Sequence, residues 1–229
     1  AQPWTEAKKR AIRQSRIDTT RHLTDTLARR SHPPRVFVCA SAVGFYGSRG
    51  DEVLHEGSTA GNDFLAGVVH EWEAATGPAT RAGIRVVKLR LGVVLSPRGG
   101  ALGTMLLPFR MGVGGRVGSG RQWMSWISLD DAVEVVLRAI KDHEMSGPVN
   151  VVAGAVRNAD FARELGHALS RPAIFPVPAF ALKLVFGGEM VDGTLLASQR
   201  AEPRRLLDAG HRFLHPELPG ALRAVLAQK

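Results

Sequence analysis

The chain has 229 residues, 45% hydrophobic and 22% charged, enough apolar material for one sizeable core with or without a small appendage. No apolar run approaches the ~20 residues of a membrane helix, and the start, Ala1-Gln2-Pro3-Trp4, has no apolar signal core, so membrane-spanning and secreted classes are not expected. One cysteine, Cys39, cannot form an intramolecular disulfide, and no Cys/His cluster can close a zinc site, so a reducing, cytoplasmic setting without metal is expected. Lys plus Arg total 30 against 21 Asp plus Glu, and the formal +9 attracts anions. The cations are spread along the chain without interleaved aromatic rings, which argues against a nucleic-acid platform.

Residues 4–30 are predicted helical, because Ile12, Ile17, Leu23 and Leu27 recur near helical spacing and Ser31-His32-Pro33-Pro34 ends the run. Residues 35–40 are short and nearly all apolar, which suits a strand buried on both faces of a parallel sheet. After a glycine-rich loop, Asn62 or Asp63 can cap a second helix that carries Phe64, Leu65, Val68, Val69 and Trp72 and ends near Gly77-Pro78. Residues 84–95 read as one strand. Residues 96–126 read as a Gly/Arg loop interrupted by a short apolar stretch, 102–111, taken as helical. Ser128, with Asp131 three residues on, is a capping-box signal ahead of a helix over 132–140. A strand over 148–152, an amphipathic helix after Asn158, a Pro-rich loop over 171–178 and a helical tail complete the chain. Alternating helices and strands imply an α/β fold with a parallel sheet and crossover helices.

Gly44, Gly47 and Gly50 follow a predicted strand, as in a dinucleotide-binding turn, but that turn must open a helix, and residues 51–58 are short, acidic and broken by Gly57. A strand-end active-site loop is the preferred reading. A second cluster, Gly112, Gly114, Gly115, Gly118 and Gly120, follows a helix and fits a flexible substrate loop, in which Arg110, Arg116 and Arg121 can hold an anion or simply be solvated. His211 and His215 have no carboxylate at ligand spacing, and no Gly-x-Ser-x-Gly elbow supplies a serine nucleophile. Trp126, between the Gly/Arg loop and a capped helix, stands where an α/β fold forms a pocket mouth.

Residues 41–47 (SAVGFYG), 90–95 (RLGVVL), 99–103 (GGALG), 105–110 (MLLPFR), 118–127 (GSGRQWMSWI) and Asp130-Asp131 resemble the atypical epimerase-like branch of the extended short-chain dehydrogenase/reductases. The tail, in residues 176–182, 198–200 and Pro203, resembles that branch's C-terminal domain of unknown function. The resemblance implies a Rossmann-like parallel sheet with helices on both faces and a smaller C-terminal substrate domain. It divides the chain into a cofactor part, 1–100 with 128–153, and a substrate part, 101–127 with 154–229. It also implies that the chain begins midway through the Rossmann unit, without its first strands and phosphate-binding glycine turn.

The same resemblance places Ala40, Ser41, Leu91, Gly92, Val93 and Val94 along a nicotinamide cofactor, with NADP preferred. It places Arg121, Gln122 and Trp126 toward a small-molecule substrate. Extended short-chain dehydrogenases pair a Tyr with a Lys four residues on, so that the lysine holds the phenol near neutral pKa. Here those positions fall on Phe64 and Val68, and the family's Asn position falls on Arg16. Ser41 is retained, one residue out of register. Tyr46 is the remaining phenol, expected near its ordinary pKa of about 10. Ser41 and Tyr46 are therefore the catalytic candidates. The implied function is an epimerase-like, NADP-dependent oxidoreductase scaffold; the alternative is a non-catalytic cofactor-binding or interaction protein.

Overall fold

The computed structural model describes residues 3–227. Helix α1 (Glu6–Ala28), begun by Thr5 accepting from the Lys8 N–H, leads to strand β1 (Val36–Ala42) and a 3-10 turn at Val43–Tyr46. After the short β2 (Val53–Leu54), Asp63 caps α2 (Phe64–Ala74) by accepting from the Ala66 N–H at 2.9 Å. Then follow α3 (Gly77–Arg81), β3 (Arg85–Leu91), β4 (Val93–Leu95), α4 (Gly100–Arg110), β5 (Trp123–Ser128), α5 (Leu129–Lys141) and β6 (Gly147–Val151). The remainder is β7 (Gly154–Arg157), α6 (Asn158–Leu169), α7 (Ala179–Phe186), α8 (Gly188–Gly193), β8 (Arg200–Ala201), α9 (Arg204–Asp208) and α10 (Leu218–Ala227).

The fold is α/β and Rossmann-like. Strands β1, β3 and β6 pair in parallel in the order β1-β3-β6. Such a sheet needs apolar cover on both faces. Ala132, Val135 and Ala139 of α5 supply one cover, over Val87, Leu89, Val149 and Val151. On the other face Ile84 and Val86 pack with Phe37, Ala79 of α3 and Leu27 of α1. A second sheet, β4-β5-β7, has a parallel and an antiparallel pair, and it builds a second core with α4, α6 and α10 around Trp126, Phe109, Phe161 and Leu222.

Some local expectations change. The strand expected over 84–95 breaks at Gly92, where the chain passes from the first sheet to the second. A Cβ there would lie 2.7 Å from the Ser125 carbonyl oxygen and 2.8 Å from Val152 Cγ1, so the crossing requires a residue without one. The second helix ends at Ala74, close to the expected Gly77-Pro78, and that pair also opens a further helix, α3, because proline is compatible with a first helical turn. Residues 123–126, expected in a loop, are strand, paired with β4 on one side and β7 on the other. β7 itself is too short to show periodicity.

Ser128 does cap α5, accepting from the Asp131 N–H at 3.0 Å. The Asp131 carboxylate, however, has a tertiary task. It is fully buried and accepts from the Ser128 hydroxyl at 2.6 Å and from the N–H groups of Leu214 and His215 at 2.6 and 3.2 Å. It thus ties the segment before α10 to the start of α5. Leaving buried donors unpaired costs about 1–3 kcal/mol each. Asp131→Ala should therefore lower the unfolding free energy by roughly 3 kcal/mol in a urea titration, and Asp131→Asn, which keeps one acceptor oxygen, by about half as much.

Candidate functional site

A row of polar side chains crosses the main sheet near the carboxyl ends of its strands. Ser41 of β1 is the register partner of Arg90 of β3, which is the partner of Asn150 of β6. All three are buried, and a cation in a doubly covered strand requires a counter-charge. Glu73, on the last turn of α2, provides it. The Arg90 Nε donates to Glu73 Oε1 at 2.8 Å and Nη2 to Oε2 at 3.0 Å, a two-point pair. Ser41 Oγ donates to the same Oε1 at 2.6 Å. The remaining guanidinium nitrogen donates to Tyr46 Oη at 3.0 Å and to the Glu56 carbonyl, while the Arg90 guanidinium lies 3.5 Å from the Phe45 ring centroid. Tyr46 in turn donates to Asn150 Oδ1 at 2.7 Å, and the Asn150 N–H donates to Glu56 Oε1 at 3.0 Å.

The two catalytic candidates are therefore brought together, but inside the protein. Ser41 is 3% exposed and Tyr46 is 0% exposed; the Ser41 hydroxyl donates to Glu73, and the Tyr46 hydroxyl donates to Asn150 and accepts from Arg90. This differs from the expected pair of groups reaching a substrate oxygen. Burial pushes the Tyr46 phenol above its ordinary value despite the neighbouring Arg90, so it holds its proton at neutral pH. Burial likewise pushes the Cys39 thiol up to about 11. Phe64 and Val68, which the resemblance sets against the Tyr and Lys pair, pack: Phe64 meets Trp4 edge-on at 5.2 Å, and Val68 is buried.

Of the cofactor-side expectations, Ser41 is buried and the others are exposed or half-buried. Ala40 is exposed near the carboxyl end of β1, and Leu91, Gly92, Val93 and Val94 are half-buried where β3 passes into β4. Gly47 and Gly61 serve packing: a Cβ on Gly61 would lie 2.6 Å from the Tyr46 carbonyl oxygen and 2.7 Å from Gly47 Cα, and no helix opens at Gly50.

Of the residues expected toward a substrate, Arg121 and Gln122 line a cleft of about 480 Å³ together with Asp51, Ser119, Arg157 and Ser198. Arg157 pairs with Asp51 at 2.8 Å, and the Trp123 indole N–H donates to Asp51 at 3.0 Å. The Arg157 and Trp123 hydrogen bonds hold the Asp51 carboxyl below the usual range. Two guanidiniums lie over the Trp123 ring, Arg157 at 4.3 Å and Arg200 at 4.5 Å from its centroid. Gln122 spends its amide N–H groups on the Val117 and Leu195 carbonyls, so it shapes the cleft wall. Arg116 donates to the Gly118 and Ser119 carbonyls of its own loop. Trp126 does not join this cleft. It is 1% exposed in the second core, its indole nitrogen has no hydrogen-bond partner among the described residues, and it borders a separate cleft of about 440 Å³ together with Gly154, Ala155 and Pro216.

Sequence reasoning missed Glu73, Asn150, Asp51 and Arg157. Glu73 alone carried a signal: it stands four residues after Val69 on the apolar side of its helix, facing a strand that holds a cation. Among the described residues no group of three or more His, Cys, Asp or Glu could hold a metal ion, and no helix is long and apolar enough to cross a membrane.

Residues 1–154 match the model of the NAD dependent epimerase/dehydratase family, and residues 177–225 match a domain of unknown function (DUF1731). An epimerase family protein of Mycobacterium bovis is 44% identical over 96% of this chain and 72% of its own length. The epimerase family protein SDR39U1 of Mus musculus is 40% identical over 98% of this chain and 76% of its own length. Among solved structures, human epimerase family protein SDR39U1 (isoform 2) with NADPH superposes with a TM-score of 0.94 and 35% identity, covering 100% of this chain and 77% of that one.

Two outcomes follow from the buried network. Arg90→Met leaves the Glu73 carboxylate buried without its partner and should lower stability by about 3–5 kcal/mol in denaturant, whereas the Arg90→Met/Glu73→Met double variant should recover most of that loss. Tyr46 is the single tyrosine, so absorbance near 295 nm reports it alone. Its titration in the folded protein should lie above the ordinary value of about 10. The folded phenol then keeps a proton that the unfolded one loses, so stability should fall as pH rises from about 10 through the folded value.

Proposed function

The chain belongs to the NAD dependent epimerase/dehydratase family, and from that premise we propose that it is an NADP-dependent oxidoreductase scaffold for a small-molecule substrate. The reading is carried by its likeness, over the whole chain, to a human relative crystallised with NADPH. Ligands of open parallel sheets lie beyond the carboxyl ends of the strands. Ala40, exposed near the carboxyl end of β1, and Leu91 to Val94, half-buried where β3 passes into β4, stand close to such a position and fit the flat, largely apolar face of a nicotinamide ring. NADPH, when bound, supplies a hydride.

The chain's own groups orient and bind. The row of Ser41, Arg90 and Asn150 fixes the strand ends from beneath, so Ser41 and Tyr46 act by positioning β1 and the turn after it. Arg121, beside Arg157 and Asp51, gives the substrate-side cleft a polar wall. With the single tyrosine buried and protonated, a proton needed in reduction comes from another group or from water.

The test is NADPH binding by fluorescence, followed by absorbance at 340 nm across a panel of carbonyl compounds. Ala40→Trp should fill the proposed ring site and weaken NADPH binding by about tenfold or more with the melting temperature unchanged. Binding equal to that of the unsubstituted protein would overturn the placement of the ring. Saturable binding without any NADPH oxidation across the panel would favour a binding protein over an oxidoreductase.

A further inference from the structure

A second, chemically different cavity lies between α4, the glycine-rich segment 113–117, the start of α6 and α7. Its volume is about 540 Å³, inside the range of ~300–1,000 Å³ typical of small-molecule sites. Met105, Phe109, Val117, Phe161, Leu182 and Phe186 supply much of its wall, and among the described residues no charged side chain lines it. In a chain with a formal +9, that is a marked local departure. The polar side chains on the wall are already engaged. Thr104 donates to the Gly100 carbonyl at 3.0 Å, and Asn158 accepts from the Val117 N–H at 2.7 Å while its amide nitrogen meets Met124 Sδ at 3.1 Å.

The glycine-rich segment forms this wall by close approach. A Cβ on Gly114 would come within 2.4 Å of the Phe109 ring, and one on Gly115 within 2.0 Å of the Phe175 carbonyl oxygen. At these two positions no side chain longer than hydrogen fits, so the backbone packs directly against the Phe109 ring and the Phe175 carbonyl. The apolar character continues outward: α7 has no buried residue, and Val113 stands exposed on the wall.

We propose that this cavity binds an uncharged, predominantly hydrocarbon small molecule. A phosphate-bearing ligand would shed its hydration here without a counter-charge or a free side-chain donor, an uncompensated cost. An apolar ligand is driven in by removal of both apolar surfaces from water. The polar cleft of Arg121, Arg157 and Asp51 is built from neighbouring residues, Gly118 beside Val117 and Leu196 beside Leu195, so the same loops present a polar and an apolar site. The inference rests on the cavity alone and is independent of the cofactor reading above.

The probe is N-phenyl-1-naphthylamine, an uncharged fluorophore that brightens on leaving water, titrated into the full chain without NADPH. One saturable equivalent is expected, displaced by 1-decanol. Leu182→Glu places a charge in the wall and Thr104→Trp fills the space, and each should weaken dye binding about tenfold or more, with circular dichroism unchanged. Leu184→Glu, on the same helix but 86% exposed and outside the cavity, should leave binding within about twofold. NADPH affinity, read on the same samples, should be unaffected in all three variants, so that failure here is separable from failure of the cofactor reading. Absence of saturable dye binding, retention of binding in both cavity variants, or an equal loss in Leu184→Glu, which would make the outer face of α7 the binder, each overturns the proposal.

Discussion

The buried ion pair between Arg90 and Glu73 is the constraint around which the first half of the chain is arranged. A guanidinium taken from water into the middle of a parallel sheet costs several kcal/mol unless its charge and donors are met. Meeting them requires four separate segments to arrive at one place: α2 brings Glu73, β1 brings Ser41, the 3-10 turn brings Tyr46, and the loop after β2 brings Glu56. None of these contacts is local in sequence. The pair is therefore weak as a source of stability relative to an apolar replacement, but it discriminates strongly between the correct arrangement of these segments and any in which one is displaced. We read its role as specifying register at the strand ends, where a ligand of this fold would sit.

That role also accounts for the two hydroxyls. A serine and a tyrosine at a strand end invite a catalytic reading when only their order is known. In the folded chain each is held by a charged partner and by neighbouring backbone packing, which rigidifies the loop rather than presenting a reactive atom. The glycines of the same loop act in concert with them. Gly47 and Gly61 allow two backbone segments to touch, and that contact brings Tyr46 under the sheet. The chain's chemistry toward ligands then falls to surfaces around this rigid patch: the exposed methyl of Ala40, the polar cleft at Arg121 and the apolar cavity beside α4.

The second half of the chain is built on a different principle. Trp126, Phe109, Phe161 and Leu222 come from strand and helices far apart in sequence and fuse into one apolar core. The buried carboxylate of Asp131 closes this part of the fold by holding the Leu214 and His215 N–H groups at the start of α5. The cap that starts a helix and the latch that fixes a distant segment are thus one side chain.

The sequence by itself determined the elements whose signals are local. The α1 periodicity, the Asp63 and Ser128 caps and the apolar runs of β1 and β6 need only a few neighbouring residues to declare themselves, and the motifs around Ser41, Arg90 and Gly118 were enough to point to the family. Tertiary structure alone decided what depends on which surfaces meet. Gly92 divides one apolar run between two sheets because Ser125 and Val152 crowd it from elsewhere in the chain. Whether Arg90 faced solvent or Glu73 was open until α2 was packed. Trp126 became core and Arg121 a cleft wall although five residues apart, and the apolar cavity arises from three segments spread between Gly100 and Leu195. Periodicity records which face of an element is buried, whereas burial of a particular polar atom is settled by the partner that reaches it.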